Sequence, residues 1–288
     1  EVKKRTGMNI AEIVADSGEK LRAFGICDAG LEAEVLVRMA MGLDKAGFIR
    51  DLREDVSLTQ QQKICRFIER RQQKEPLAYI TGRKEFFGLD FVVNQHVLVP
   101  RTETELIVEK VINYFNECQS STLKIVDIGT GSGVIGVSLS HNLSFCDVLC
   151  TDISPEALLV AQKNAEIHNV NKVTFLEGDL LSPVHEKQDV ILSNPPYIPS
   201  DRISHLQEEV QREPIIALDG GDDGFKIIER LLLQSSKKLN NPGLILIEID
   251  ITQVRRSMLE ASKYFPDNSI SILKDCFDND RFLKIELF

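Results

Sequence analysis

Val126-Asp127-Ile128-Gly129-Thr130-Gly131-Ser132-Gly133 is the stretch on which the fold turns. The apolar run Lys124–Ile128 reads as a strand, and a helix opens after the glycines. Glycines at such a junction let the main chain turn tightly and approach a ligand closely. The helix N-terminus adds free N–H groups and a partial positive charge. A nucleotide or a carboxylate-bearing cofactor suits the place. Gly131 to Gly136 also satisfies the G-x-G-x-x-G dinucleotide pattern, so the glycines alone do not choose a ligand.

Three carboxylates narrow the choice. Asp152 follows Gly131 by 21 residues, at the end of the next apolar run, Asp147–Thr151. Its oxygens are suited to accept from two ribose hydroxyls. Asp127, just ahead of the glycines, repels a pyrophosphate and favours a cofactor with a cationic amino group and a sulfonium. Asp179 follows a third run, Lys172–Leu176, where an adenine amino group could be held. Acids at successive C-terminal strand ends are telling, because open α/β sheets bind ligands there.

Working outward, further strands are predicted at Asp189–Ser193 and Leu244–Ile249, with helices between strands. Ser154-Pro155 marks one helix start, a serine cap followed by a first-turn proline. Another helix spans roughly Phe225 to Leu239. Repeated strand–helix units predict a parallel sheet covered on both faces. Ser269–Lys274 and Arg281–Leu287 lie close together and read as a terminal antiparallel pair.

Toward the N-terminus the pattern changes. Residues 1–75 read as a helical domain. Ile10, Ile13, Val14, Leu21 and Phe24 recur at helical spacing, and a second helix carries Leu31, Val35 and Met39. A third begins at Thr59, with Gln62 as capping-box partner, and buries Ile64, Phe67 and Ile68. Its other face carries Lys63, Arg66, Arg70, Arg71 and Lys74, a solvated face or a docking face for an acidic or nucleic-acid partner. Pro76 ends it. Residues 76–100 suggest a β-hairpin linker, and 101–288 form the catalytic domain, opened by a helix capped by Thr102 with Glu105.

The segment Ser193-Asn194-Pro195-Pro196-Tyr197-Ile198-Pro199 follows an apolar strand. Two prolines make a stiff turn, because proline fixes φ and lacks an N–H. The carbonyls of Asn194 and Pro195 stay free to accept, and the Asn194 side chain adds another acceptor. Tyr197 offers a flat face to a planar group. These parts suit an NH2 group on a π system, held so that its lone pair faces an electrophilic methyl carbon. Positioning and fixed dipoles would then supply most of the catalysis.

The bulk properties agree. A chain of 288 residues suits one large and one small domain, and 43% hydrophobic residues allow a sizeable core. No run approaches the roughly 20 apolar residues of a membrane span, and Glu1 to Ile10 has no signal-peptide core. Met8 reads as a native start, with Glu1 to Gly7 a processing remnant. Cysteines 27, 65, 118, 146, 150 and 276 form no CxxC pair and read as reduced thiols, and five scattered histidines form no ligand pair, so no metal is expected. Residues 1–75 carry a net charge of +1 and the remainder −11. An acidic catalytic part is poorly made to grip a phosphate backbone, so no direct nucleic-acid binding is expected.

Taken together the sequence resembles the HemK/PrmC protein-(glutamine-N5) methyltransferases. The resemblance covers nearly the whole chain: Glu75 to Gly82, Phe86-Phe87-Gly88, Val99 to Glu105, Asp127 to Gly133, Asn194 to Tyr197, and Ala217 to Gly224. It implies a Rossmann-like class I S-adenosylmethionine-dependent methyltransferase domain with a mainly parallel seven-stranded sheet, plus a small N-terminal helical domain that helps recognise the substrate. The implied reaction moves a methyl group from S-adenosyl-L-methionine, leaving S-adenosyl-L-homocysteine. The implied acceptor is the glutamine of the Gly-Gly-Gln motif in class 1 peptide chain release factors. Implied cofactor contacts are Asp127, Gly129, Thr130, Gly131, Ser132, Gly133, Asp152, Asp179, Leu180 and Asn194. Asn194, Pro195, Pro196 and Tyr197 would hold the glutamine amide, with Phe86 and Arg101 at the mouth of the site. A cytoplasmic monomer is expected.

Three departures stand out. Thr102 replaces a common proline. Glu248-Ile249-Asp250 replaces E-x-G. Asp275 to Arg281 keeps the ends of a D-x-x-G-x-x-R pattern without its glycine. An alternative reading is a nucleic-acid adenine-N6 methyltransferase, which shares Asn-Pro-Pro-Tyr but needs a basic cleft and an extruded base. A dinucleotide oxidoreductase or a non-catalytic binding module gives Asp127 and that tetrapeptide no role.

Overall fold

The computed structural model describes residues 7–115, 122–266 and 268–288. Residues 1–6 and Cys118 lie outside the described residues, and with them most of the expected processing remnant. The chain forms two compact units, one running to Gly82 with Glu208–Arg212 added, the other comprising Arg83–Gln207 and Glu213–Phe288.

The first unit holds α1 (Ile10–Ala23), α2 (Ala29–Met41), α3 (Lys45–Arg50), α4 (Leu58–Gln72) and α5 (Leu77–Thr81). Asn9 and Glu12 form a capping box on α1, each side chain 2.8 Å from the other's main-chain nitrogen. The box on α4 is Ser57 with Gln60, two residues before the expected Thr59 and Gln62. Ser57 has the extended backbone that a cap requires. Helix α2 buries Ala33, Leu36, Val37 and Ala40, while Leu31 is 65% exposed. The expected stripe through Leu31, Val35 and Met39 was therefore one face off, because the buried face runs through Ala29, Ala33, Leu36, Val37 and Ala40, where small alanines share the packing with Leu36 and Val37.

The basic face of α4 is also corrected. Arg71 is buried and its guanidinium pairs with both Glu32 and Glu209. A buried cation persists only with such partners. Arg70 pairs with Glu75, and Lys74 donates to the Phe24 carbonyl. The helix ends at Gln72, and Pro76 instead precedes α5, a short helix where a hairpin was expected.

The second unit begins with the hairpin, β1 (Arg83–Phe86) and β2 (Leu89–Val92). Its remaining strands are β3 (Leu123–Ile128), β4 (Cys146–Asp152), β5 (Val173–Glu177), β6 (Gln188–Ser193), β7 (Leu239–Glu248), β8 (Ser269–Lys274) and β9 (Asp280–Leu287). They form one sheet in the order β5-β4-β3-β6-β7-β9-β8. All neighbours are parallel except β7–β9 and β9–β8. The helices are α6 (Glu105–Phe115), α7 (Val134–Asn142), α8 (Pro155–Ile167), α9 (Lys226–Lys238) and α10 (Val254–Tyr264).

Alternating strand residues feed two cores. Ile125, Val190 and Leu244 pack with α6, α7 and the hairpin, whereas Val126, Ile191 and Ile245 pack with α9 and α10. Burying both faces explains the continuous apolar runs that revealed the strands. The strand order reverses between β3 and β6, and the crevice at their C-terminal ends is where an open sheet binds ligands.

All three departures lie in this unit, each in a local turn. Asp250 caps the turn before α10, accepting from Thr252 N at 2.8 Å. Asp278 takes the place of the missing glycine at φ 66°, a left-handed conformation that Asp tolerates better than most residues. Thr102 does not cap α6. It lies in a 3-10 turn, Thr102–Thr104, that leads into that helix.

Candidate functional site

A cavity of about 490 Å³ opens at the reversal point. Its floor is the glycine turn after β3. Gly129 (φ 66°) and Gly131 (φ 55°) are both left-handed, and a Cβ on either would project into open space. The main chain itself is therefore the wall offered to a ligand. Thr130 and Ser132 line the same wall. Gly133 is the left-handed residue that starts α7 and lies behind it.

Asp152 reaches in from the end of β4. Its carboxylate accepts from Gly131 N at 2.8 Å and Ser154 N at 2.9 Å, which fixes the turn and the start of α8 together. Burial raises its pKa against those hydrogen bonds. Next to it Ile153, half exposed, presents an apolar face to the cavity. Asp179 and Leu180 line the cavity beside it, on the loop after β5 where Gly178 N donates to the Asp152 carbonyl, and Asp179 is ion-paired with Arg230.

Asp127 sits behind the glycine turn and does not line the cavity. It is fully buried, and one oxygen accepts from the Thr130 hydroxyl at 2.6 Å and from Gly136 N at 3.0 Å. Its other oxygen, Oδ1, is buried without a partner. Burial pushes its pKa up from 3.8 to about 6.

The Asn-Pro-Pro-Tyr corner meets the cavity through Asn194 and Pro196. Pro195 is buried. Tyr197 departs from expectation: it offers no flat face to the cavity, because its hydroxyl turns to donate to Glu248 Oε1 at 3.2 Å. Burial raises its pKa. Phe86 is likewise corrected. It is 1% exposed, packed edge-on against Phe91 in the core, because it faces inward from β1. Arg101 does line the cavity, held by Glu213 at 2.6 Å.

Several residues of the site were not legible in advance. The Asn194 side chain donates through Nδ2 to Thr104 Oγ1 at 3.0 Å, and the Thr104 hydroxyl donates to Glu248 Oε2 at 2.7 Å. Gln253, also buried, donates to the carbonyls of Tyr197 and Gly224 at 3.1 and 2.8 Å. Ile198 exchanges main-chain bonds with Leu218 and Gly220. A Cβ at Gly224 would lie 2.4 Å from the Tyr197 carbonyl oxygen. The glycine-rich segment Ala217 to Gly224 is thus the strut beneath the corner. Asn164 clasps the hairpin and the glycine turn, accepting from Val92 N and donating to the carbonyls of Val92 and Ser132. At the rim, exposed Ile215 and Ile216 complete the lining. Among the described residues no group of three or more His, Cys, Asp or Glu side chains is placed to hold a metal.

Comparison with known proteins agrees with this arrangement. Residues 104–213 match the Methyltransferase small domain family and residues 12–82 the PrmC N-terminal domain family. The release factor glutamine methyltransferase of Moorella thermoacetica is 40% identical over 85% of this chain and 87% of its own. That of Bacillus subtilis is 36% identical over 89% and 92%. Among solved structures, the hMettl16 catalytic domain in complex with MAT2A 3'UTR hairpin 6 matches with a TM-score of 0.55 at 16% identity, over 70% of this chain and 77% of that one. That last likeness is one of fold alone, the class I methyltransferase fold. With near-full-length relatives at such identity, the chain belongs to the release factor glutamine methyltransferase family.

Proposed function

We propose that this protein transfers a methyl group from S-adenosylmethionine to the side-chain nitrogen of the glutamine in the Gly-Gly-Gln motif of class 1 release factors. The observation that carries the reading is that one cavity is lined both by the glycine turn with Asp152 and by Asn194 with Pro196. Donor and acceptor elements share a single space. The residues fit the donor chemically. The left-handed glycines leave a cradle, Asp152 stands ready for ribose hydroxyls, and the unpartnered Oδ1 of Asp127 places negative charge behind the site where a cationic amino acid portion belongs. Bound there, S-adenosylmethionine supplies a methyl carbon on a positively charged sulfur.

The chain's own residues then do the positioning. Asn194 Oδ1 and the main-chain oxygens of Asn194 and Pro195 accept the two hydrogens of the glutamine NH2. These fixed acceptors hold the nitrogen in line with the methyl carbon and reduce its conjugation with the carbonyl, which raises its nucleophilicity, and one of the two hydrogens leaves as a proton when the nitrogen is methylated. Pro195 and Pro196 keep these oxygens fixed through the reaction. Arg101 and the rim isoleucines border the entry of the substrate loop. The first unit serves as the recognition domain, and the enzyme works as a monomer in the cytoplasm, where release factors act.

Incubation with labelled cofactor and purified release factors tests this reading. Mass spectrometry should find one added methylene on the Gly-Gly-Gln glutamine. Label on another residue, or none on any release factor, refutes it.

A further inference from the structure

We propose that Glu248, which does not line the cavity, is a positioning residue that determines which end of the Asn194 amide faces the substrate, acting through Thr104. The inference rests on the proposed reaction and concerns the same site.

The case is one of counting protons. An ionised carboxylate accepts hydrogen bonds only, whereas a hydroxyl has one proton to give. Burial raises the pKa of Glu248, and the hydroxyls of Thr104 and Tyr197 and the nearby Arg281 cation favour its ionised form. Two hydroxyls converge on Glu248, Thr104 on Oε2 at 2.7 Å and Tyr197 on Oε1 at 3.2 Å. Glu248 is 2% exposed, so these donors replace the water it lost. The single proton of Thr104 is thereby committed. Toward Asn194, Thr104 can only accept, and the end it accepts is Nδ2, at 3.0 Å. Oδ1 is the end left over, and Asn194 lines the cavity. An asparagine amide is nearly symmetric in shape, so packing alone barely distinguishes its two ends. Reversed, it would present an NH2 to the substrate's NH2, and two donors would face each other. Glu248 thus sets the polarity of a three-member chain running from the end of β7, through the turn before α6, to the corner after β6.

Thr104→Val keeps the shape and removes the hydroxyl. Single-turnover methyl transfer at saturating cofactor and release factor should fall about tenfold, the size of one lost hydrogen bond. Cofactor affinity by calorimetry should stay at the wild-type value, while the melting temperature should drop by a few degrees, because the buried Glu248 carboxylate loses one donor. Thr104→Ser should restore turnover to within a few-fold of wild type. Glu248→Gln, which can donate to Thr104 and free its proton to turn toward Asn194, should slow turnover with unchanged cofactor affinity. Turnover within twofold of wild type in both Thr104→Val and Glu248→Gln overturns the inference, as does a loss that Thr104→Ser fails to rescue or that tracks cofactor affinity. A second readout does not depend on the substrate. The Nδ2 protons of Asn194, identified in ¹⁵N spectra by their absence in Asn194→Ala, should include one protected from exchange in the wild type and Thr104→Ser but not in Thr104→Val. Equal protection in all three refutes the chain of bonds. Absence of methyl transfer by the wild-type enzyme would instead count against the proposed function.

Discussion

The glycine turn and the Asn-Pro-Pro-Tyr corner face one another across a single cavity, yet they are built on opposite plans. The turn is held from the stretch of chain that follows it, by Asp152 across 21 residues and Asn164 across 32, and from within. Asp127 reaches Thr130 and Gly136, three and nine residues away, and its wall is bare main chain. The corner is held by side chains from far along the chain, Thr104 at a separation of 90 residues and Gln253 at 56. Binding of the donor is thus encoded in one continuous part of the chain, from Asp127 to Leu180, whereas positioning of the acceptor draws on segments on both sides of the corner, Thr104 before it and Glu248 and Gln253 after it. Mutations in the two regions should therefore separate affinity from rate.

The largest expected effect tests the corner. Asn194→Ala should lower single-turnover methyl transfer by at least ~10²-fold, as for loss of one preorganised polar contact. Cofactor affinity should change far less, and a parallel loss of both would erase the distinction drawn here. On the other side, Asp127 makes a pH prediction. Its folded pKa of about 6 exceeds the ordinary 3.8 of the unfolded chain. Between those values the folded form holds a proton that the unfolded chain has released, so this group's contribution makes stability fall as pH rises through the window, by on the order of 2–3 kcal/mol. Asp127→Asn should flatten that slope in urea titrations at a series of pH values while weakening cofactor binding. An unchanged slope would mean that the carboxylate is ionised throughout.

Gly131→Ala is a milder probe of the turn. A Cβ at a left-handed residue costs about 1–2 kcal/mol, so cofactor affinity should drop about tenfold by calorimetry with turnover at saturation little altered. The smallest effect lies outside both regions. Asp278→Gly relieves a left-handed φ and should raise stability by about 0.5–1 kcal/mol in denaturant melts, with affinity and rate both unchanged.

The same contrast explains what could be read from the sequence. The central strands β3, β6 and β7 stood out because both faces of the sheet are buried there, so each carries a near-continuous apolar run, whereas the edge strands β5 and β8 are only partly buried. The glycine turn, Asp152 and Asn194 stood out because their chemistry is written in consecutive residues. Thr104, Glu248, Gln253 and Asn164 were silent, because each acts on a partner tens of residues away and each is an ordinary residue locally. Tyr197 misled for a related reason: its ring was assigned to the ligand when its hydroxyl was already committed to Glu248. Phe86 carried a role from the resemblance that its inward position on β1 does not support. In the helical unit, the face of α2 was misjudged because three alanines, weak markers of burial, share the buried face with Leu36 and Val37.

Asn164 has a bearing on how this protein can be cut into pieces. Its amide ties Val92 of the hairpin to the glycine turn, filling three main-chain bonding positions from one fully enclosed side chain. A truncated enzyme beginning at Arg101 would delete Val92 and leave that buried amide with the Ser132 carbonyl as its one remaining partner of the three. Expression of the catalytic half should start upstream of Arg83, so that the fragment brings its own fastening.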